Sequence, residues 1–389
     1  MHTRSSSFGR ILAFCYGFAS LALFAYSFTQ VDLGLTLTKM NVWQAIQKWF
    51  QHIGYFNRPL STGLYLGILI VFFGLYIITL VAANRKQITK KDLWLIVGIV
   101  VVGTCLSYPA FSYDLFNHMF TAKTILVYHK NPYVVLPLQF AGLDPWLAFM
   151  HWTHVVSIYS PLWIFVTLFP YFLGFGYLLL ILWNFKIMLA ASYVLAVWAI
   201  GKILEQDKQD RSLLGIAIFA LNPLVIIESL VSAHNDILMM ALAVFAIYIF
   251  TKKGKIASFF ILALSIATKL VTVCLLPVWF FGWKRWMSLA AMTVGFLLFL
   301  TQREVMAWYF LWILPFVALL PDIQAIVTVS VGVSFGLLLR YAPFLYYGDW
   351  NDPVPAMKPW VTYIPIVISV VVAVILYIAQ QKKRTLHNS

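Results

Sequence analysis

The sequence predicts an all-α, polytopic transmembrane helical bundle of about twelve spans, with helices in its external loops. Three observations predict it. Hydrophobic residues make up 62% of the 389 residues, charged residues only 10%, and mean hydropathy is +0.87. That is more apolar surface than a water-soluble core can hide. Apolar runs of near-membrane length recur along the chain, and the short alternating segments of a transmembrane barrel are absent. Basic residues fall in short clusters between the runs: Arg85-Lys86, Lys90-Lys91, Lys252-Lys253, Lys284-Arg285 and Lys382-Lys383-Arg384. This is the positive-inside pattern, so the formal net charge of +14 sets orientation and does not point to nucleic acid.

The elements follow in order. Arg4 and Arg10 precede an apolar run from Ile11 to Phe28 that is longer than a signal-peptide core, so it reads as an uncleaved first span despite the cleavage-like Ala25-Tyr26-Ser27. Expected span cores are 11–30, 61–83, 92–109, 176–203, 212–229, 237–251, 256–269, 271–282, 286–301, 307–321, 324–341 and 359–380. Between the first two, Val42 to Phe50 is amphipathic, with aromatics and Lys48 suited to a helix in the membrane interface. The apolar stretch 159–172 is short and carries Pro161 and Pro170, so it is expected to be re-entrant or to lie externally. The stretch 256–282 is expected to be a hairpin turning at Thr268-Lys269, because a single span would place the later basic clusters outside. The chain is then one integral membrane domain, 1–389, in a cell membrane, with both termini cytoplasmic.

Orienting the spans by their basic loops brings Asp114, Glu228, His234, Asp236, Lys269, Arg303 and Glu304 to the external face. Ionisable groups in so apolar a chain mark a substrate path or a reaction site. The three cysteines, Cys15, Cys105 and Cys274, are scattered through apolar segments and form neither a disulfide framework nor a metal cluster. His151 and His154 share a helical face at i, i+3, but Asp144 has no assured place beside them, and a metal site there is disfavoured. No cofactor is required by any motif, and a divalent-metal requirement stays open. Asp349 and Asp352 read as ordinary loop residues.

The motifs occur in a set order. Tyr113-Asp114-Leu115-Phe116 follows a span. His129-Lys130-Asn131-Pro132-Tyr133, Tyr159-Ser160-Pro161-Leu162, Asn222-Pro223, His234-Asn235-Asp236, Ala267-Thr268-Lys269 and Trp308-Tyr309-x-x-Trp312-x-x-Pro315 come after it. Over about residues 95–320 this order resembles the polyprenyl-phosphate-sugar-dependent glycosyltransferases of the C superfamily, in particular the family 87-like mannosyltransferases. The resemblance places two spans in 1–91 outside it, a glycosyltransferase-like core at 92–321 and further spans at 322–389. It implies transfer of a hexose, with mannose favoured, from a polyprenyl-phosphate donor to an external glycan or glycolipid, with inversion and without a covalent intermediate. The pair of acids frequent in that family's first loop is reduced here to Asp114 alone.

The roles follow from the chemistry. A carboxylate at the membrane surface can take the acceptor hydroxyl proton, and Asp114 is the expected base. His234, Asn235 and Asp236 are expected to hold substrate, unless they merely cap the following helix. Lys269 and Arg303 are candidates for the lipid phosphate, and Tyr159 for the sugar, as are Trp308 and Tyr309. Glu228 reads as a bonded helix-end acid, Lys186 as a lysine snorkelling to the interface, and His118 as standing on the wet face of the loop helix. A lipid or sugar transporter would spread its charges through the bilayer. A lipid-diphosphate ligase or polymerase would need several external arginines.

Overall fold

The computed structural model describes residues 6–207 and 209–388, with side chains through 381. Arg4 and the side chains of Lys382, Lys383 and Arg384 lie outside that description. All regular structure among the described residues is helical, with no strand.

The chain begins with α1 (Ser7–Ser27), whose N-cap Ser6 accepts from the Gly9 amide at 2.8 Å. Helix α2 (Asn41–Gln51) follows at the surface. It is amphipathic in an inverted sense. Gln47 and Gln51 bond the backbone at Leu35, Leu37, Val31 and Asp32, while Val42, Trp43 and Trp49 stay more than half exposed. A helix that turns its glutamines inward and its tryptophans outward suits a lipid interface. Helices α3 (Arg58–Asn84) and α4 (Lys90–Cys105) come next, and a capping box between Thr89 and Asp92 starts α4.

Two short helices, α5 (Asp114–Leu126) and α6 (Pro161–Phe172), precede the long α7 (Leu178–Leu204). Helices α8 (Ser212–Ala220) and α9 (Pro223–Ile226) follow, and α9 runs into a π-helical turn, Ile227–Val231. The two halves bend by 56° at a break. Pro223 has no amide hydrogen there. Asn222 caps the second half through Leu224 N at 2.9 Å and donates to Ser334 Oγ at 3.0 Å. Irregular backbone at this depth is tolerated because protein buries it. Then come α10 (Asp236–Thr251), α11 (Lys255–Thr268), a 3-10 segment Leu270–Cys274, α12 (Leu275–Phe280), α13 (Arg285–Leu300), a 3-10 segment Ala307–Trp312, α14 (Leu314–Ala318), α15 (Gln324–Leu339), α16 (Tyr341–Tyr347) and α17 (Val354–Asn388).

Polar contacts sort these helices between two ends. At one end Lys90 meets Glu205 and Asp210, Arg285 meets Asp207, Arg211 meets Asp322, and Gln206 bonds Thr251. At the other, Gln30 bonds Ser61, Lys269 meets Asp236, and Lys358 meets Glu304. Thr251 and Arg285 sit at the first end and Lys269 at the second, so 255–280 turns back at Lys269 as a hairpin. Helix α6 does not carry the chain across. Its N-cap Ser160 bonds Thr268 O at 2.9 Å, and it hands over through a tight turn to α7, which itself runs from that end to Glu205.

Among the described residues five helices are long and apolar enough to cross a membrane, six if the bent pair of α8 with α9 and its π-helical turn is one span. The protein is therefore an all-helical membrane protein, but length and composition do not support twelve spans. The remaining expected spans fall on helices of 10–17 residues and on the 16-residue α4. Helices of 14–16 residues such as α11 and α10 rise only about 21–24 Å, short of a hydrocarbon core of about 30 Å. The expected cores 237–251, 256–269 and 286–301 match their helices in length, whereas 212–229, 271–282 and 307–321 run across helix breaks.

Helices α15 and α17 show how closely the chain packs. Gly332 and Gly336 form a G-x-x-x-G step, and a Cβ on Gly336 would stand 2.3 Å from Thr362 O.

Candidate active site

The polar cluster is built by four irregularities at one end of the bundle. Asp114 opens α5, with Ser112 Oγ accepting its amide at 3.2 Å. The π-helical turn presents Glu228. The chain then turns through Ala233 at φ +58, left-handed for a residue with a Cβ, and His234 N bonds Glu228 O at 3.0 Å. Lys269 sits at the extended hinge of the α11–α12 hairpin, φ −158.

The side chains converge. His234 lies between two carboxylates, with Nδ1 3.7 Å from Asp114 Oδ2 and Nε2 3.2 Å from Glu228 Oε2. The second approach is close, but it is not aligned as a hydrogen bond. Trp308 stacks on the His234 ring at 4.1 Å. Tyr341 donates to Glu228 Oε1 at 3.0 Å. Asp236 Oδ1 accepts from Lys269 Nζ at 2.7 Å and from Trp312 Nε1 at 2.5 Å. The Lys269 ammonium also lies over the Trp312 and Tyr309 rings, at 5.2 and 5.5 Å. Exposure grades the group: Glu228 and Asp236 are sealed, while the Asp114 and Lys269 side chains keep 28% and 30% of their surface. The groups able to meet a substrate are thus one carboxylate and one ammonium, each backed by buried partners.

The electrostatics fit that division. Burial raises the Asp114 carboxyl above its ordinary range, His234 and Lys269 pull it back down, and Asp236 adds a further push upward. Burial, with His234 and Lys269 nearby, holds His118 well below the ordinary histidine value, so its ring is neutral. Its Nδ1 accepts from Trp163 Nε1 at 2.9 Å, which leaves the proton on Nε2. Burial and then the charges of Asp114 and Asp236 hold the Tyr159 hydroxyl protonated.

Several expectations need adjusting. His118 is 1% exposed and does not stand on a wet face. Lys186 does not snorkel. It is equally buried, and its Nζ donates to the Ser107 carbonyl, to Ser107 Oγ at 2.8 Å and to Val231 O at 3.2 Å. It thereby ties the segment leading to Asp114 to the segment leading to His234. Asn235 stands at the N-cap of α10, but its side chain makes no capping bond. Tyr159 turns its ring onto His118 at 4.2 Å. Arg303 is exposed in the loop before Ala307, and its charge reaches the Tyr309 hydroxyl without an ion pair. Glu304 belongs to a separate group with Arg340 and Lys358. His151 pairs with Asp32 and Asp144 with Lys123, so these do not share a site, and no group of three or more metal-ligating side chains converges among the described residues. Sequence reasoning gave no role to Tyr341, Trp163 or Trp312. They sit far along the chain, and nothing in their spacing announces their partners.

A family described as alpha-(1->6)-mannopyranosyltransferase, N-terminal domain, matches residues 14–285, well over half of the chain. The chain belongs to this family. It is a glycosyltransferase of the C-superfamily kind, a mannosyltransferase with a sugar donor and a glycan acceptor. The transporter reading falls with that membership. The matched residues of this mannosyltransferase carry Asp114, Glu228, His234, Asp236 and Lys269, while Arg303, Trp308, Trp312 and Tyr341 come from beyond them. No curated protein and no solved structure matches the chain.

Proposed function

We propose that this mannosyltransferase moves mannose from a polyprenyl-phosphate donor to an external glycan or glycolipid in one inverting displacement, with Asp114 as base. The observation that carries the reading is the pairing of a part-exposed carboxylate with a part-exposed ammonium at one end of the bundle. The acceptor hydroxyl gives its proton to Asp114 as its oxygen attacks the anomeric carbon, and the carbon–phosphate oxygen bond breaks with its electrons leaving on phosphate. Lys269 faces that growing charge, and its remaining N–H groups are free of Asp236. An α(1→6) product formed by inversion requires a β-linked donor. Buried His234, Asn235 and Asp236 back the sugar side from behind Asp114 and Lys269, Tyr159 flanks it, and exposed Arg303 is the second cation for the lipid head group.

The exposed aromatic row Phe165, Phe169 and Phe172 on α6 suits a prenyl chain running into lipid. In this reading the short helices also traverse a locally thin layer, the site end faces outward from a cell membrane, and both termini are cytoplasmic. Fixed side chains supply base and cation, so transfer is expected to persist in EDTA. The test is label transfer by purified protein from a panel of lipid-phosphate sugars. Asp114→Asn should fold normally and lose about 10²–10⁴-fold in turnover. Near-normal turnover by that variant removes Asp114 as base.

A further inference from the structure

Asp114 and Lys269 meet the substrate with charge, but a sugar is mostly neutral hydroxyls. The first turn of α6 is bonded to the carriers of both charges. Its N-cap Ser160 donates to the Thr268 carbonyl at 2.9 Å, next to Lys269. Within the same turn Trp163 Nε1 donates to His118 Nδ1 at 2.9 Å. His118 lies one helical turn after Asp114, on the same face of α5. Helix α6 therefore sets the spacing between base and ammonium. Tyr159, just before the cap, is pinned from the loop by the Tyr133 hydroxyl, which donates to its carbonyl at 2.8 Å. Its ring lies against His118 at 4.2 Å, while the Trp163 ring meets His118 edge-on at 5.0 Å.

An indole N–H can only donate, so His118 Nδ1 is the acceptor and the ring's single proton is on Nε2. Burial, then the charges of His234 and Lys269, keep a second proton off the ring. That Nε2–H has no partner among the described residues, and it is not one of the sealed polar atoms. The Tyr159 hydroxyl is placed in the same way. It makes no hydrogen bond among the described residues, it is not sealed, and the charges of Asp114 and Asp236 reach it. Two neutral donors without protein partners thus sit beside Asp114. In so enclosed a place an unmade bond costs free energy unless a ligand supplies the acceptor.

We propose that His118 Nε2–H and the Tyr159 hydroxyl read the transferred hexose, each donating to one of its hydroxyl oxygens, and that Trp163 is the positioning residue that fixes the His118 tautomer. This deepens, and rests on, the reading in which the sugar passes between Asp114 and Lys269. Neutral donors suit the task, because a cation at His118 would compete with Lys269 for the phosphate. A sugar hydroxyl accepts from Nε2–H while its own hydrogen stays free for another partner. Specificity follows. A hexose lacking that hydroxyl leaves a buried N–H unpaired, and a site built on hydrogen bonds rejects such an analogue for that reason.

The experiment crosses variants with substrates. Donor kcat/KM at fixed acceptor is measured for lipid-phosphate mannose and its monodeoxy analogues in wild type, His118→Phe, Tyr159→Phe, Trp163→Phe and Asp114→Asn. Comparing variants on each sugar cancels the change in intrinsic reactivity that a missing hydroxyl brings. His118→Phe keeps a ring against Tyr159 and should lower mannose transfer about 5–150-fold, yet less than about 3-fold on the one analogue that lacks the hydroxyl it held. Tyr159→Phe should show the same pattern, at that hydroxyl or the neighbouring one. Trp163→Phe frees the tautomer and should cost about 3–10-fold, a cost that vanishes on the same analogue as for His118→Phe. Packing damage lowers every sugar alike. Uniform losses, or none, with His118→Phe overturn its role, and the same result with Tyr159→Phe overturns the hydroxyl's. If His118→Phe does not fold, Trp163→Phe decides: a loss that vanishes on one analogue supports the proposal, and a uniform loss or none removes it. Asp114→Asn acts on the acceptor proton and should lower every sugar equally. An active Asp114→Asn beside a sugar-selective His118→Phe sinks the base assignment alone. An inactive Asp114→Asn beside uniform losses at His118 and Tyr159 sinks the sugar contacts alone.

Discussion

Replacing Lys269 separates two effects that the structure superimposes. Asp236 is 1% exposed, and its Oδ1 is held by Lys269 at 2.7 Å and Trp312 at 2.5 Å. Removing Lys269 leaves a buried carboxylate with one neutral donor. Breaking a fully buried pair costs about 3–5 kcal/mol. The Lys269 side chain is 30% exposed, so water screens part of the interaction and about 2–4 kcal/mol is the better figure. Lys269→Ala should therefore lower thermal stability in detergent. It should also remove the ammonium that meets the leaving phosphate, a loss of about 10²–10³-fold in donor kcat/KM. The double variant Lys269→Met, Asp236→Asn tells the effects apart. Its asparagine amide oxygen still accepts from Trp312, and no charge is stranded, so Tm should return most of the way while donor use stays low. Lys269→Arg should keep part of both. The assay is Tm by intrinsic fluorescence, paired with steady-state transfer at varied lipid-phosphate mannose. If the double variant recovers transfer along with Tm, Lys269 serves only to neutralise Asp236, and the phosphate is held elsewhere.

Further expectations follow from other contacts. Cysteines placed at Lys269 and Arg303 should react with an impermeant reagent from the external side and one at Lys253 should not; cytoplasmic labelling at Arg303 would break the shared-face reading. Burial holds the Asp114 carboxyl above its ordinary range, and the base works only when ionised. Transfer should therefore fade as pH drops at a higher pH than an ordinary aspartate allows, and His234→Gln, which removes the largest downward influence, should move that limb higher still; a limb at the ordinary aspartate value counts against the assignment. Lys186→Met unties Ser107 from Val231, so both Asp114 and His234 lose a shared anchor; kcat should fall by roughly 10–100-fold in monodisperse protein, and unchanged kcat would show the tie to be dispensable. Gly336→Val drives a side chain into the Thr362 carbonyl and should cost about 1–3 kcal/mol, read as a lower Tm, with no loss expected if α15 and α17 do not meet in the membrane.

Composition and charge placement alone determined the fold class, because a chain this apolar has no stable alternative to helices in lipid and its basic clusters alternate with its apolar runs. The same bookkeeping brought Asp114, Glu228, His234, Asp236 and Lys269 to one end, and in the structure they stand together. The turn at Lys269 was legible because charge parity required it, although the number of full-length spans was not. Hydropathy is a sum over a window and does not register the break at Asn222-Pro223 or the 3-10 segments that precede α12 and α14. Pairing was decided only by the tertiary structure. His234 reaches across to Asp114, 120 positions earlier by number, while Tyr341 comes back from α16 to Glu228 and Trp312 to Asp236. A sequence records that a polar residue is costly in an apolar chain. Which partner relieves the cost depends on distances of a few ångströms between segments far apart in number, and packing alone sets those distances.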